Sequence, residues 1–94
     1  MRLNATVQRS THIVLYVRLP DRPGALGAVA LRIGAVGADI TDVAVARRDR
    51  GTAVDVFHLT LPEARCDVMA VLCDELREVD GAAVEFWSRA DCCG

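Results

Sequence analysis

Residues 19 to 27 read LPDRPGALG, with an acid, an arginine, two prolines and two glycines in nine positions. A plain reversal of the chain needs only one or two such residues. This run stands where alternating apolar residues give way to helical spacing, so it must also start a helix. The first N–H groups of a helix have no acceptor within it and carry the positive end of its dipole, which suits a carboxylate. Pro23 has no N–H, leaving Gly24, Ala25 and Leu26 as donors, and Gly24 allows close approach to the backbone. Asp21 can accept from an ammonium. Donors beside a negative side chain make a seat for a small zwitterion. Asp21 has a second reading as the cap or brace of the same helix, and a carboxylate has lone pairs enough for both.

The other reactive side chains form no constellation. Cys66 and Cys73 lie seven apart on an expected helix and share a side. Tetrahedral zinc wants ligands in close pairs, however, and the chain holds neither C-x2-C nor H-x3-H. Half-buried thiols are expected rather than a disulfide framework, and Cys92 and Cys93 read as part of a loose tail. His12 and His58 fall on strand faces with no acid or cysteine at ligand or triad spacing. No catalytic residue, metal or cofactor is therefore expected. Arg47, Arg48 and Arg50 surround Asp49 and read as a solvated hairpin tip, not as the basic stripe that phosphate binding needs.

Six elements must hold the loop in place. In residues 12–19, Ile13, Leu15, Val17 and Leu19 take one strand face, and His12, Val14, Tyr16 and Arg18 the other. From Ala25 to Val36 the positions Leu26, Val29, Ala30, Ile33 and Val36 follow one helical stripe. Pro23 suits the first helical position, and Gly37 the left-handed residue that closes the helix. Residues 39–48 form a second strand, with Ile40, Asp42, Ala44 and Ala46 on one side and Thr41, Val43, Val45 and Arg47 on the other. Neither side is polar enough to be fully wet. Gly51 turns the chain into a third strand, 52–61. A second helix is expected from about Pro62 to Val79, with Met69, Leu72, Cys73, Leu76 and Val79 inward and Gly81 stopping it. Residues 82–88 are the last strand.

The order β-α-β-β-α-β, with right-handed crossovers, predicts an α+β, ferredoxin-like sandwich: a four-stranded antiparallel sheet with both helices on one face. It occupies residues 11–89, with tails at 1–10 and 90–94. Many unrelated functions use this fold. The loop has no cysteine pair for a soft metal, and the strands lack the aromatic platform of an RNA-binding sheet. Arg22 precedes a proline, not the glycine-rich nest of a phosphate cradle.

What the loop does hold resembles the ACT domain, the small amino-acid-sensing module of metabolic enzymes and regulators. The resemblance rests on a strand ending at Leu19, then D-R-P-G-A-L at 21–26, then a helix closing in G-A-D-I at 37–40. In the family the loop runs roughly D/N-x-P-G-x-L and the second motif G-x-N-I, so Asp39 stands where asparagine is common. Leu19 stands where serine-sensing members have histidine. The resemblance implies a homodimer whose sheets pair edge to edge through the second strand. It places a small amino acid between the loop of one chain (Leu19, Asp21, Arg22, Pro23, Gly24, Ala25, Leu26) and Asp39, Ile40 and Thr41 of the other. A regulatory module of this kind acts on an enzyme or regulator in trans.

Composition sets the remaining bounds. The chain has 94 residues, a formal net charge of −2 and 52% apolar residues, and all eleven of its cations are arginine. That is one domain with a modest core, whose stability association would help. Neither a long apolar run nor an apolar leader is present, so a cytoplasmic protein without membrane or nucleic-acid partners is expected. Two alternatives to amino-acid sensing stay open: an assembly module with a vestigial pocket, and a small enzyme of the same fold that uses the loop acid as a base.

Overall fold

The computed structural model describes residues 11–61 and 67–89. Cys66, Cys92, Cys93 and the expected start of the second helix at 62–66 lie outside the described residues. The elements are β1 (Thr11–Pro20), α1 (Ala25–Ala35), β2 (Asp39–Asp49), β3 (Thr52–Leu61), α2 (Val68–Leu76) and β4 (Ala83–Arg89). The strands form one antiparallel sheet in the order β2-β3-β1-β4, so β2 and β4 are its edges. This is the expected ferredoxin-like α+β sandwich.

One sheet face and one stripe of each helix make the core. Ile13, Leu15, Val17 and Leu19 of β1 and Phe57, Leu59 and Leu61 of β3 are buried against Ala25, Val29 and Ile33 of α1. α2 adds Val68, Met69, Leu72 and Leu76, and Val79 follows in the next turn. Cys73 is half-buried.

α1 differs from its expected form at its first turn. Pro23 lies before the helix, in the turn; Gly24 is the N-cap, left-handed at φ 89, and Ala25 is the first helical residue. The buried row is consequently Ala25, Val29 and Ile33, spaced by four, and Leu26 is 43% exposed. Arg32 pairs with Glu75 of α2 at 3.2 Å, which fixes the flank of α1 that meets α2. Leu26 is rotated to the opposite flank, toward β2.

β2 also departs from strict alternation. Its register on β3 slips between Ile40 and Asp42 and again between Val45 and Arg47, leaving Thr41 and Ala46 as extra residues. Each bulge reverses the parity of the residues beyond it. Ile40, Val43, Val45 and Arg48 therefore oppose core-facing residues of β3, whereas Asp42, Ala44 and Arg47 oppose His58, Val56 and Val54 on the helix-free side. The two groups expected from period two are mixed by these slips.

Two turns hold the loop end of the sheet. Arg50 and Gly51 have φ 47 and 84, the pair of positive values that the tight turn joining β2 to β3 requires. Gly81 has φ 83, and a Cβ there would stand 2.7 Å from Cγ of Pro20, so the turn before β4 closes directly on the end of β1.

Candidate functional site

Residues 21–24 are fixed from two sides. The Asp21 N–H donates to the Gly51 carbonyl at 2.8 Å, tying the loop to the hairpin. The Ala25 N–H donates to the Arg22 carbonyl at 3.3 Å, and the Ala28 N–H to the Gly24 carbonyl at 2.9 Å. The N–H groups of Leu26 and Gly27, in the first turn, have no intrahelical acceptor. No side chain caps α1. Asp21 is therefore not the N-cap, and its carboxylate turns to β2, with Oδ2 3.3 Å from Nε of Arg48.

Arg48 reaches this position because of the Ala46 bulge, which sends Arg47 to the opposite face. Below it lies a group that the motif does not contain. Asp55 of β3 is in register with Val17 of β1 and Val45 of β2 and alternates onto the core face between Ala53 and Phe57. It is only 5% exposed, the one charged residue buried among the described residues. Burial pushes its carboxyl above the usual aspartate range; Arg48 opposes the shift and the charge of Asp21 adds to it. Asp21, Arg48 and Asp55 thus form one electrostatic group at the mouth of α1. The sequence did carry a signal for Asp55, an acid at the inward parity of a strand whose other inward positions are apolar.

The expected site residues divide into two places. Arg22, Pro23 and Gly24 are exposed at the loop with Asp21, while Ala25 and Leu19 belong to the core, Leu19 at 2% exposure. Arg22, Pro23, Gly24 and Ala25 also line a cleft of about 460 Å³ that opens toward Arg32 and Glu78. Asp39, Ile40 and Thr41 are at the other end of the sheet. Asp39 is in register with Thr60, whereas the loop adjoins Thr52, eight residues along the same strand, about 25 Å away. Asp39 is exposed, Ile40 packs partly on the core, and the Thr41 hydroxyl donates to the His58 carbonyl at 3.1 Å. One chain alone does not bring the two motifs together.

The helix-free face carries a different arrangement. Glu85 of β4 accepts from Arg18 at 2.8 Å and from Arg47 at 3.0 Å, an ion cluster that joins β1, β2 and β4 across the face of β3. The hydrogen bond from Arg47 is the main reason its carboxyl titrates below the usual glutamate range; desolvation opposes it and Arg18 adds to the lowering. His12 and His58 face each other at 3.4 Å at the far end.

No protein-family model matches the chain, and no curated protein matches it. Solved structures do. An ACT domain protein from Streptococcus pneumoniae superposes with a TM-score of 0.67 at 15% identity, over 87% of this chain and 92% of that one. The chain carries an ACT-like fold. The ACT domain from GTP pyrophosphokinase of Chlorobium tepidum gives a TM-score of 0.55 at 20% identity, over 87% of this ACT-like chain and 97% of that one. An unknown protein from Galdieria sulphuraria gives 0.64 at 16% identity over 92% of this chain, which spans 48% of the Galdieria chain. Among the described residues no helix is long and apolar enough to cross a membrane.

Proposed function

We propose that this ACT-like chain is an amino-acid-binding regulatory module that works as a homodimer, with the ligand at the seam between the loop of one chain and Asp39–Thr41 of the other. The observation that carries this reading is that no acid occupies the start of α1. The N–H groups of Leu26 and Gly27 keep no intrahelical acceptor, and Asp21, three residues before the N-cap, is paired with Arg48.

Three features of β2 favour a second copy of this chain as its partner. It is an edge with unpaired backbone groups. Val43 and Val45, on its helix side, are 40% and 47% exposed, and Leu26 of α1 is exposed as well. The bulged residues of β2, Thr41 and Ala46, bound a regular run from Asp42 to Val45. A two-fold axis normal to the sheet within that run pairs β2 with itself antiparallel and carries the partner's Asp39–Thr41 segment toward the loop end of this chain. The same pairing covers the exposed valines.

In that seat the ligand carboxylate meets the N–H donors of α1, and its ammonium meets carboxylates. A ligand that touches both chains stabilises the dimer by mass action. Without it, the partner's Asp39 and this chain's Asp21 repel, so the empty dimer is the weaker one. The altered dimer is what an enzyme or regulator partner reads. The enzyme alternative calls for a buried acid in a closed pocket; Asp55 is such an acid, and it lines neither the 460 Å³ cleft nor the second one, between α2 and β4.

Mixing two defective chains tests the reading. Thermal-shift screening against the common amino acids first identifies a ligand. Asp21→Ala and Asp39→Ala each abolish the shift, whereas an equimolar mixture regains about a quarter of the wild-type seats by calorimetry, because half the dimers are mixed and each of those has one intact seat. No recovery on mixing, with both variants folded and dimeric, overturns the shared seat. A wild-type dimer that no amino acid stabilises leaves the assembly reading.

A further inference from the structure

His12 of β1 and His58 of β3 meet on the helix-free face although they are 46 residues apart in the chain. Nε2 of His12 stands 3.4 Å from Nδ1 of His58, with the ring centroids 5.5 Å apart and the planes inclined at 47°. A hydrogen bond from an N–H is ordinarily shorter, at about 2.7–3.2 Å. Two imidazole nitrogens that share a tetrahedral zinc at about 2.0–2.1 Å each lie about 3.3–3.4 Å from one another. The spacing is thus the bite of a chelate and too long for a good hydrogen bond. Both rings are half-buried, so the pair is packed on one side and reachable from solvent on the other.

The surroundings favour a cation. Asp42 of β2 is in register with His58, and Asp39 of β2 with Thr60, which is itself the partner of His12. Both acids are exposed beside this face. Their field lowers the cost of a positive charge there. Arg18 and Arg47 lie at the opposite end of the face, held by Glu85. The Thr41 hydroxyl donates to the His58 carbonyl at 3.1 Å, which ties the backbone of this ring to β2.

We infer that His12 and His58 are the two protein ligands of a divalent transition-metal site, through Nε2 and Nδ1 respectively. The ion takes the place of the hydrogen between the rings, and each neutral imidazole then carries its N–H on the outer nitrogen. Imidazole suits zinc, nickel and copper, whereas a hard ion such as magnesium takes oxygen ligands. Among the described residues no three histidines, cysteines or acids group as a fuller ligand set. Water therefore completes the coordination, and the ion exchanges instead of being locked in as in a structural zinc site. An ion held this way clamps β1 to β3 and stabilises the folded chain. Neither histidine belongs to the proposed amino-acid seat, so this inference stands apart from that reading.

Calorimetric titration of the full chain with zinc chloride and with magnesium chloride, in a buffer that does not chelate, tests this. The wild type is expected to take one zinc ion per chain and to melt higher with it, and to ignore magnesium. His12→Gln and His58→Gln should each weaken zinc binding by about tenfold to a hundredfold, since either leaves a single imidazole. Circular dichroism checks that both variants are folded. The competing ligands are the thiolates of Cys66, Cys73, Cys92 and Cys93. Cobalt tells them apart, because a thiolate adds a sulfur-to-cobalt charge-transfer band and an imidazole pair does not. Zinc affinity that survives either histidine substitution overturns the shared site, as does a cobalt spectrum dominated by that band. Equal binding of magnesium, or no binding of zinc by the wild type, overturns it without recourse to a variant.

Discussion

Two carboxylates on opposite faces of this sheet have opposite circumstances. Glu85, on the helix-free face, is gripped by Arg18 and Arg47 and titrates low. Asp55, on the helix-covered face, has a single arginine within reach, itself held by Asp21, and titrates high. Glu85 is satisfied within its own chain and ties three of the four strands together. Asp55 has no such grip and holds its place on the core face at a cost. The difference separates an acid that ties strands together from one whose neighbouring arginine is engaged with a third residue.

Neighbouring arginines give the sharpest way to break this comparison. Arg47 and Arg48 are adjacent in sequence but stand on opposite faces. Arg48→Ala should weaken amino-acid binding roughly a hundredfold, since it removes a charge-assisted contact and releases Asp21. Arg47→Ala should leave the affinity unchanged. Titration of both variants checks this, and equal losses would erase the distinction between the faces.

A smaller effect is expected at the dimer. Ala44→Lys places a lysine from each chain close to the proposed axis, and it should raise the dimer dissociation constant by about tenfold, read by sedimentation. An unchanged dimer would move the interface away from β2.

The smallest effects are in the pH dependence of stability, where the acids should act with opposite signs. The folded-state pKa of Asp55 is raised, so its contribution favours the fold at low pH and is lost as pH rises through that value. Asp55→Asn should accordingly raise the melting midpoint of the ligand-free chain by a few degrees at neutral pH, with the gain vanishing in acid. The folded-state pKa of Glu85 is lowered, so its contribution is present above the unfolded value and lost as pH falls through the folded one. Glu85→Gln should lower the midpoint at neutral pH and leave it unchanged in acid. Melting curves across the acid range would reveal a common sign if the contrast is wrong.

Much of the architecture was legible because burial imprints a period. Ile13, Leu15, Val17 and Leu19 alternate in the sequence as they do in the core, and Gly37 and Gly51 take the left-handed conformations that their turns require. The loop motif located the start of α1 to within two residues. Leu26 lies outside the core although it belongs to the expected stripe. An apolar residue beside a true core position fits the helical period almost equally well, and only packing against α2 fixes the rotation. The bulges at Thr41 and Ala46 left no mark on composition, since a slip in register is a property of two strands. Arg48 meets Asp21 only through that slip. Asp55 broke the inward alternation of β3 in plain sight, but its meaning depended on a neighbour that one strand alone does not reveal.

The interrupted edge of β2 has a consequence for fidelity. A foreign strand meeting it finds a matched run of only four residues, Asp42 to Val45, before the spacing fails at either end. The two irregularities shorten the regular run open to indiscriminate strand addition, which protects an otherwise exposed edge.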